Sequence, residues 1–302
     1  MDFFKYHALG NDYIVIPPTE ANSTLSPELI MRLCHRHYGL GSDGILFGPL
    51  LPNTESCREL EQRAIGSGRC SENSLDYQYG LQIFNPDGSE AEKSGNGLRI
   101  FCRYLYDNGL VQADSFHLLT LGGPVSCEVL DNGSSVRVEM GKVDFRADRV
   151  PVTGYTGEVL NCPIQVGEEG YNFNAATIGN PHCIIVCDEI SQDLVNRIGP
   201  PLERHSAFPN RTNVQVMQIK DRHNLQIEIW ERGAGYTLAS GSSASACAAA
   251  ARRLGLCDEH VTVHMPGGDL AIDIEADFSI RMEGKVTGVA KGEFLPDVMQ
   301  IQ

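Results

Sequence analysis

Two short stretches, Lys93-Ser94-Gly95-Asn96-Gly97 and Ala239-Ser240-Gly241-Ser242-Ser243, each open an apolar run with helical character. Each run closes on a glycine, Gly109 or Gly255, 14 residues beyond the glycine of its Ser-Gly pair. The sequence thus predicts one helix design used twice. A Ser-Gly step ahead of a helix leaves first-turn N–H groups without intrahelical partners, and those donors with the helix dipole favour an anion. Two such ends could hold one small anionic ligand.

The rest of the chain repeats around these two points. Phe3 to His7 reads as a strand, Gly10-Asn11-Asp12 as a turn and Tyr13 to Ile16 as a second strand. Much later, Ala176-Thr-Ile-Gly-Asn180-Pro-His-Cys-Ile-Ile-Val186 parallels Ala8-Leu-Gly-Asn11-Asp-Tyr-Ile-Val15. Asn11 and Asn180 are 169 residues apart and Ser94 and Ser240 are 146 apart, so the first half carries 23 extra residues between its landmarks. The polar stretch 49–77, which lacks periodicity and reads as an insertion, has about that length and lies in that interval. The offset of 146 also carries Phe84-Asn85 onto Trp230-Glu231, each pair ending a strand before a glycine-rich loop. A helix from Ser26-Pro27 to about His37, strands from Ser115 to Val143, a helix from about Asp193 to His205, and strands over 213–220, 225–230 and roughly 260–294 complete the reading. These features predict a pseudo-twofold α/β protein of two halves with a small-molecule cleft between them.

Composition bounds the partners. The 302 residues are 42% hydrophobic and carry a formal charge of −15. That balance, with no Lys/Arg cluster, speaks against nucleic acid and anionic membrane surfaces. The N-terminus does not resemble an export signal and no stretch approaches a membrane span, so a cytoplasmic location is expected. The ten cysteines are scattered and read as reduced thiols rather than a disulfide framework. Cys183 and Cys187 read as core residues on one strand face. Cys57, Cys70, His35 and His37 match no common zinc spacing, so no metal is expected.

If the halves face each other, the groups that converge are the two helix starts, Asn11, Asn85, Asn180, Asn213, His182, Glu231 and Arg232. Amides, a guanidinium and helix N-termini suit carboxylate and ammonium groups. Singly, each Asn also reads as a turn residue, Arg232 as a surface ion-pair residue and His182 as a hydrogen-bonded strand-end histidine. The pairing across the repeat is what separates the functional reading from these.

The segments FKYHALGNDYIVI, GLGSDGILF, FNPDGSEAEKSGNGLRIF, TIGNPHCIIV, NVQV and ERGAGYTLASGSS, in this order, resemble the diagnostic segments of diaminopimelate epimerases over nearly the whole chain. The resemblance implies an α/β (α+β) fold of two pseudo-symmetric domains, each a mixed β-sheet or barrel wrapped around a central helix. The domains would span 1–140 plus 286–302, and 141–285. It implies cofactor-independent isomerase chemistry, conversion of LL- to meso-diaminopimelate for lysine and cell-wall precursor biosynthesis, and a homodimer. Two cysteines at the central helix starts would act on opposite faces of the substrate Cα. The distal-group clamp falls on Asn11, Asn85, Asn180, Asn213 and Arg232, and the carboxylate cradle on Gly95, Asn96, Gly241 and Ser242. The groups assisting the two thiols fall on His182 and Glu231. Gly44 stands where many members carry Gln. The catalytic cysteines fall on Ser94 and Ser240.

That substitution changes the chemistry. A thiol with pKa about 8.5 supplies some thiolate at neutral pH, whereas a serine hydroxyl is far less acidic and needs a partner. His182 beside Ser94 and Glu231 beside Ser240 are the expected partners. Four readings remain: an amino-acid epimerase or racemase using the serines; an isomerase or dehydratase acting on one face of another amino or dicarboxylic acid; an engineered Cys-to-Ser pair; and a ligand-binding protein without catalysis. Lys93, Ile100, Cys102 and the run Ser242–Ser245 also depart from the family flanks, which favours a natural serine-bearing lineage over engineering.

Overall fold

The computed structural model describes residues 1–19, 23–68, 70–71, 75–112 and 115–299. The chain forms two compact units, Met1–Val138 with Gly284–Gln302, and Glu139–Glu283. In the first, the strand order is β18 (Thr287–Glu293), β1 (Asp2–Ala8), β2 (Asn11–Ile16), β3 (Ile45–Leu50), β4 (Tyr79–Phe84), β6 (Ser115–Thr120), β7 (Gly123–Leu130) and β8 (Ser135–Lys142). Short β5 (Glu90–Ala91) lies on β4. In the second, the order is β9 (Cys162–Val166), β10 (Glu169–Thr177), β11 (Pro181–Val186), β12 (Asn213–Asp221), β13 (Asn224–Glu231), β15 (His260–Met265), β16 (Gly268–Ile274) and β17 (Ser279–Lys285). Short β14 (Gly235–Thr237) lies on β13.

The two orders have the same sequence of senses. Only β2–β3 and β4–β6 in one unit, and β11–β12 and β13–β15 in the other, are parallel. Register repeats as well. Ile14 pairs with Ile45 and Cys183 with Val214; Ile45 pairs with Phe84 and Val214 with Trp230; Phe84 pairs with Glu90 and Trp230 with Tyr236. Matched senses and registers establish the internal repeat as a structural fact.

Each unit closes around one helix. In the first, α3 (Gly95–Asp107) packs on β1, β2, β3 and β7; in the second, α5 (Gly241–Arg253) packs on β10 to β13, β15 and β16. Parallel strands covered on both faces read as continuous apolar runs, and Tyr13–Ile16 and Pro181–Ile185 are buried throughout. Strands covered on one face alternate instead, as in β7. The outer faces are covered by α1 (Pro27–Cys34), whose Leu29, Ile30 and Leu33 pack with Ile14 and Ile45, and by α4 (Gln192–Glu203), whose Val195, Ile198 and Leu202 pack with Cys183 and Val214.

Both central helices end alike. Gly109 (φ 67°) and Gly255 (φ 74°) follow the C-cap residues Asn108 and Leu254. Leu110 N–H bonds Leu105 O, and Leu256 N–H bonds Ala251 O, both at 2.9 Å. This six-to-one closure with a left-handed glycine takes up the last carbonyls of each helix.

Two expectations need correction. The first helix ends at Cys34, short of His37, because Leu40 and Gly41 both donate to Leu33 O and Gly39 donates to His35 O, so a turn takes the carbonyls that a continuing helix would use. The stretch 49–77 interrupts the repeat, since β12 and β13 are joined by a tight turn, but it is not without structure. It contains the end of β3 and α2 (Glu55–Gly66), with Cys57, Leu60 and Ala64 buried against the unit 1 core. Their spacing is helical, and the charged residues between them obscured it. Residues 69 and 72–74 of this stretch lie outside the described residues. A final short helix, α6 (Pro296–Met299), completes the first unit.

Candidate active site

The serines of the two quoted stretches are the N-caps of the central helices. Ser94 has φ −139° and ψ 117°, and Ser240 has φ −145° and ψ 121°. Each hydroxyl oxygen accepts the backbone N–H three residues on, from Gly97 at 3.0 Å and from Ser243 at 3.4 Å. Capping of this kind satisfies one donor of the first turn and leaves the remaining N–H groups and the positive dipole end for a ligand. Ser94 is partly exposed, whereas Ser240 is buried.

The second residue of each helix contacts the matching asparagine of its own unit. In the first, Asn96 Nδ2 donates to Asn11 Oδ1 at 3.0 Å; in the second, Asn180 Nδ2 lies 3.4 Å from Ser242 Oγ. The first contact has a fixed direction. Arg99, fully buried, donates through Nη2 to Asn96 Oδ1 at 2.8 Å, and a guanidinium has no acceptor. Asn96 must therefore present its amide nitrogen to Asn11, whose own Nδ2 donates to Asp43 Oδ2 at 2.9 Å. A donor-only group at one end and a carboxylate at the other orient both amides. Burial pushes the Arg99 guanidinium down to about 10, which leaves it charged at neutral pH. In the second unit Ser245, at the position matching Arg99, donates instead to Gly241 O at 2.8 Å. A hydroxyl can give or accept, so that unit lacks a cationic lock at this point.

The loops carry the other predicted residues. Asn85 follows β4 and donates through Nδ2 to Ser89 Oγ at 3.0 Å, within the Pro86–Ser89 turn. Glu231 ends β13 opposite Gly235. Asn213 is buried and braces the main chain: Nδ2 donates to Pro181 O at 2.9 Å and Oδ1 accepts Arg232 N–H at 3.0 Å. Arg232 is exposed, with Nη1 donating to Asn210 O at 3.1 Å. Glu203 holds the same turn from below, accepting from Gly233 N–H at 3.2 Å and from Trp230 Nε1 at 2.8 Å.

His182 is fully buried, with Nε2 3.0 Å from Asn180 Oδ1 and no hydrogen-bond partner for Nδ1 among the described residues. Burial drives its pKa down to about 3, with the Arg232 charge adding to the shift and the Gln215 amide opposing it. His182 is thus a neutral hydrogen-bonding group at pH 7, and too weak a base to store a proton there. The carboxylates near Asn11 are charge-balanced: Lys5 Nζ lies 2.8 Å from Asp12, and Arg36 Nη2 lies 3.0 Å from Asp12 and 2.7 Å from Asp43. No cluster of three or more His, Cys, Asp or Glu among the described residues could hold a metal ion, and no described helix is long and apolar enough to cross a membrane.

Within the first unit, then, Asn11, Ser94, Gly95 and Asn96 come together, with Asn85 on its own turn. Within the second, Asn180, His182, Ser240, Gly241 and Ser242 come together, and Asn213 is joined to Arg232. Sequence reasoning missed Tyr13, whose hydroxyl lies 3.2 Å from Ser94 Oγ, and Asp43 and Arg99, which orient the amides. The offset of 169 held a signal for the first of these, since it carries Tyr13 onto His182 and Gly44 onto Asn213.

Comparison with known proteins agrees with this architecture. The family model described as diaminopimelate epimerase matches residues 3–146 and 174–289. Diaminopimelate epimerase 2 of Nostoc sp. (strain PCC 7120) is 51% identical over 302 residues, covering 100% of this chain and 98% of that protein. The diaminopimelate epimerase of Moorella thermoacetica is 35% identical over 299 residues, covering 97% and 99%. Among solved structures, a phenazine biosynthesis protein of the PhzF family from Bacillus anthracis has a TM-score of 0.65 at 16% identity, covering 98% of this chain and 99% of that one. A hydroxyproline epimerase from Agrobacterium vitis with bound trans-4-hydroxy-L-proline has a TM-score of 0.62 at 13% identity, covering 97% and 91%. At these identities the two structures share the fold alone. On the family match and the identities over its full length, this chain belongs to the diaminopimelate epimerase family.

Proposed function

We propose that the protein is a cofactor-independent epimerase that interconverts LL- and meso-diaminopimelate, with Ser94 and Ser240 in the proton-transfer positions. The observation that carries this reading is the pair of N-cap serines, one in each unit. Their backbones are alike within 6° in φ and 4° in ψ, and each hydroxyl sits on the positive end of a buried helix. A developing oxyanion at either Oγ meets a backbone N–H and the helix dipole, which lowers the energy of the ionised hydroxyl. The first-turn donors at Gly95, Asn96, Gly241 and Ser242 are assigned to the α-carboxylate. Asn11, Asn85, Asn180 and Arg232 are assigned to the distal amino-carboxylate, with Asn213 setting the Arg232 main chain. His182 and Glu231 complete the assignment as supporting groups, His182 as a neutral one. The product would feed lysine and cell-wall precursor synthesis.

Solvent deuterium should enter the Cα of meso-diaminopimelate, and the absence of exchange at any enzyme concentration would sink the assignment. Replacing both serines, Ser94→Cys with Ser240→Cys, should raise epimerisation at least 100-fold, because thiols ionise far more readily. A folded double variant with no gain would show that the pocket is built for another reaction. A second reading draws on the inequality of the two hydroxyls, since Ser94 contacts a phenol and Ser240 lies 3.4 Å from Ser242 Oγ. It is an isomerase or dehydratase that moves a proton on one face of an amino or dicarboxylic acid. Loss of water from such a substrate, read by mass spectrometry, would support it.

A further inference from the structure

We infer that Tyr13 is the proton partner of Ser94, and that Gly44 is bare in order to seat it; the inference rests on the assignment of Ser94 to proton transfer. Tyr13 lies in the buried run of β2, and its hydroxyl oxygen is 3.2 Å from Ser94 Oγ. Gly44 is its neighbour where the chain enters β3. A Cβ at position 44 would lie 2.5 Å from Tyr13 Cε1, 3.0 Å from Tyr13 Cδ1 and 2.6 Å from Phe84 O. Any side chain there would displace the ring and take the phenol off the serine. The matching positions of the second unit hold His182 and Asn213, so the phenol and the bare glycine belong to the first unit alone.

The hydrogen-bond inventory makes the contact chemically specific. Ser94 Oγ has two lone pairs and one proton, and one lone pair is taken by Gly97 N–H. When Tyr13 O–H donates to the second lone pair, the serine proton points away and can be given to a substrate carbon. When the phenol is ionised, Ser94 O–H donates to the phenolate oxygen, one serine lone pair is open, and Ser94 can receive a proton as it passes its own to Tyr13. The two arrangements are the acid and the base form of one dyad and differ by one proton, the one the phenol carries in the acid form and lacks in the base form.

In the base direction the substrate Cα–H bond breaks and its proton goes to Ser94 Oγ. The serine proton passes at the same time to the Tyr13 phenolate, leaving neutral serine, neutral tyrosine and the substrate carbanion. The acid direction is the reverse: Tyr13 O–H goes to Ser94 Oγ, Ser94 O–H goes to Cα, and the phenolate remains. The negative charge thus rests on a phenol, whose ordinary pKa is about 10, rather than on an alkoxide. Tyr13 acts through Ser94 and does not itself touch the substrate.

Two measurements on the full chain test this. In the first, Cα deuterium exchange of meso-diaminopimelate is followed against pH in the unaltered protein and in Tyr13→Phe. The expected result is a tenfold or greater fall in kcat with KM unchanged, and loss of the rise in rate toward alkaline pH. An unaltered rate and pH profile in Tyr13→Phe would overturn the inference. In the second, Ser94→Cys and Ser94→Cys/Tyr13→Phe are alkylated with iodoacetamide across pH, read on the peptide that carries position 94. Loss of the phenol donor should shift thiolate formation upward, lowering alkylation at pH 7.5 threefold or more; equal alkylation would overturn the contact. If the unaltered protein exchanges no deuterium, the epimerase assignment falls, and the alkylation comparison still decides whether Tyr13 acts on position 94.

Discussion

Replacing His182 with Gln should cost stability at pH 7.5 and cost about 2 kcal/mol less at pH 5. The reasoning starts from burial: His182 is fully enclosed and its folded pKa is about 3, against 6.5 for the exposed side chain. Between those values the unfolded chain binds a proton that the folded chain does not, so stability rises with pH across that window. The stability is fully present above pH 6.5 and is lost progressively as pH falls toward 3. Each pKa unit corresponds to about 1.4 kcal/mol, so the whole window is worth on the order of 5 kcal/mol and the part down to pH 5 about 2 kcal/mol. Glutamine has no such titration, so His182→Gln lacks this loss. Trp230, the only tryptophan of the chain, is on β13 in the same unit as His182 and gives a fluorescence signal for its unfolding. Denaturant titrations of both proteins at pH 7.5 and pH 5 yield the double difference directly, with the titrations of other groups cancelling. An equal mutational cost at the two pH values, within about 0.5 kcal/mol, would refute the buried neutral imidazole.

Two further substitutions probe the supports of the site. Gly44→Ala should destabilise by about 1–3 kcal/mol through overpacking against Tyr13 and Phe84 O, and a denaturation midpoint unchanged from the parent would contradict the close approach. Glu203→Met removes the acceptor for Trp230 Nε1 and Gly233 N–H, which should cost about 1–3 kcal/mol and alter Trp230 emission. Unaltered emission and stability would show that neither bond matters.

The parts of the fold legible in the sequence were those fixed by local chemistry. A Ser-Gly start and a glycine stop, with an apolar run between, specify a capped helix whatever surrounds it, and α3 and α5 have these bounds. The strand ends, Phe84 for β4 and Glu231 for β13, were legible to within a residue because glycine-rich turns follow them. The helix α2 was hidden because its three buried residues are outnumbered by charged ones, and only the neighbouring core shows which face is inward. The end of α1 was misplaced for a related reason: its last carbonyls are taken by Leu40 and Gly41, a competition that propensity along one helix does not reveal.

The candidate site divides along the same line. By itself the sequence determined that two capped helices recur at matched positions, that asparagines recur with them, and that serines stand at both helix starts, because each of these is a property of residue order. Only the tertiary structure decided how those groups are oriented and charged. Arg99 and Asp43 set the direction of two amides, burial makes His182 neutral, and a bare Gly44 lets the Tyr13 ring bring its hydroxyl to Ser94. The physical reason is that proton affinity and hydrogen-bond direction depend on desolvation and on the donors and acceptors within about 3 Å. Residues tens of positions apart in the chain supply them.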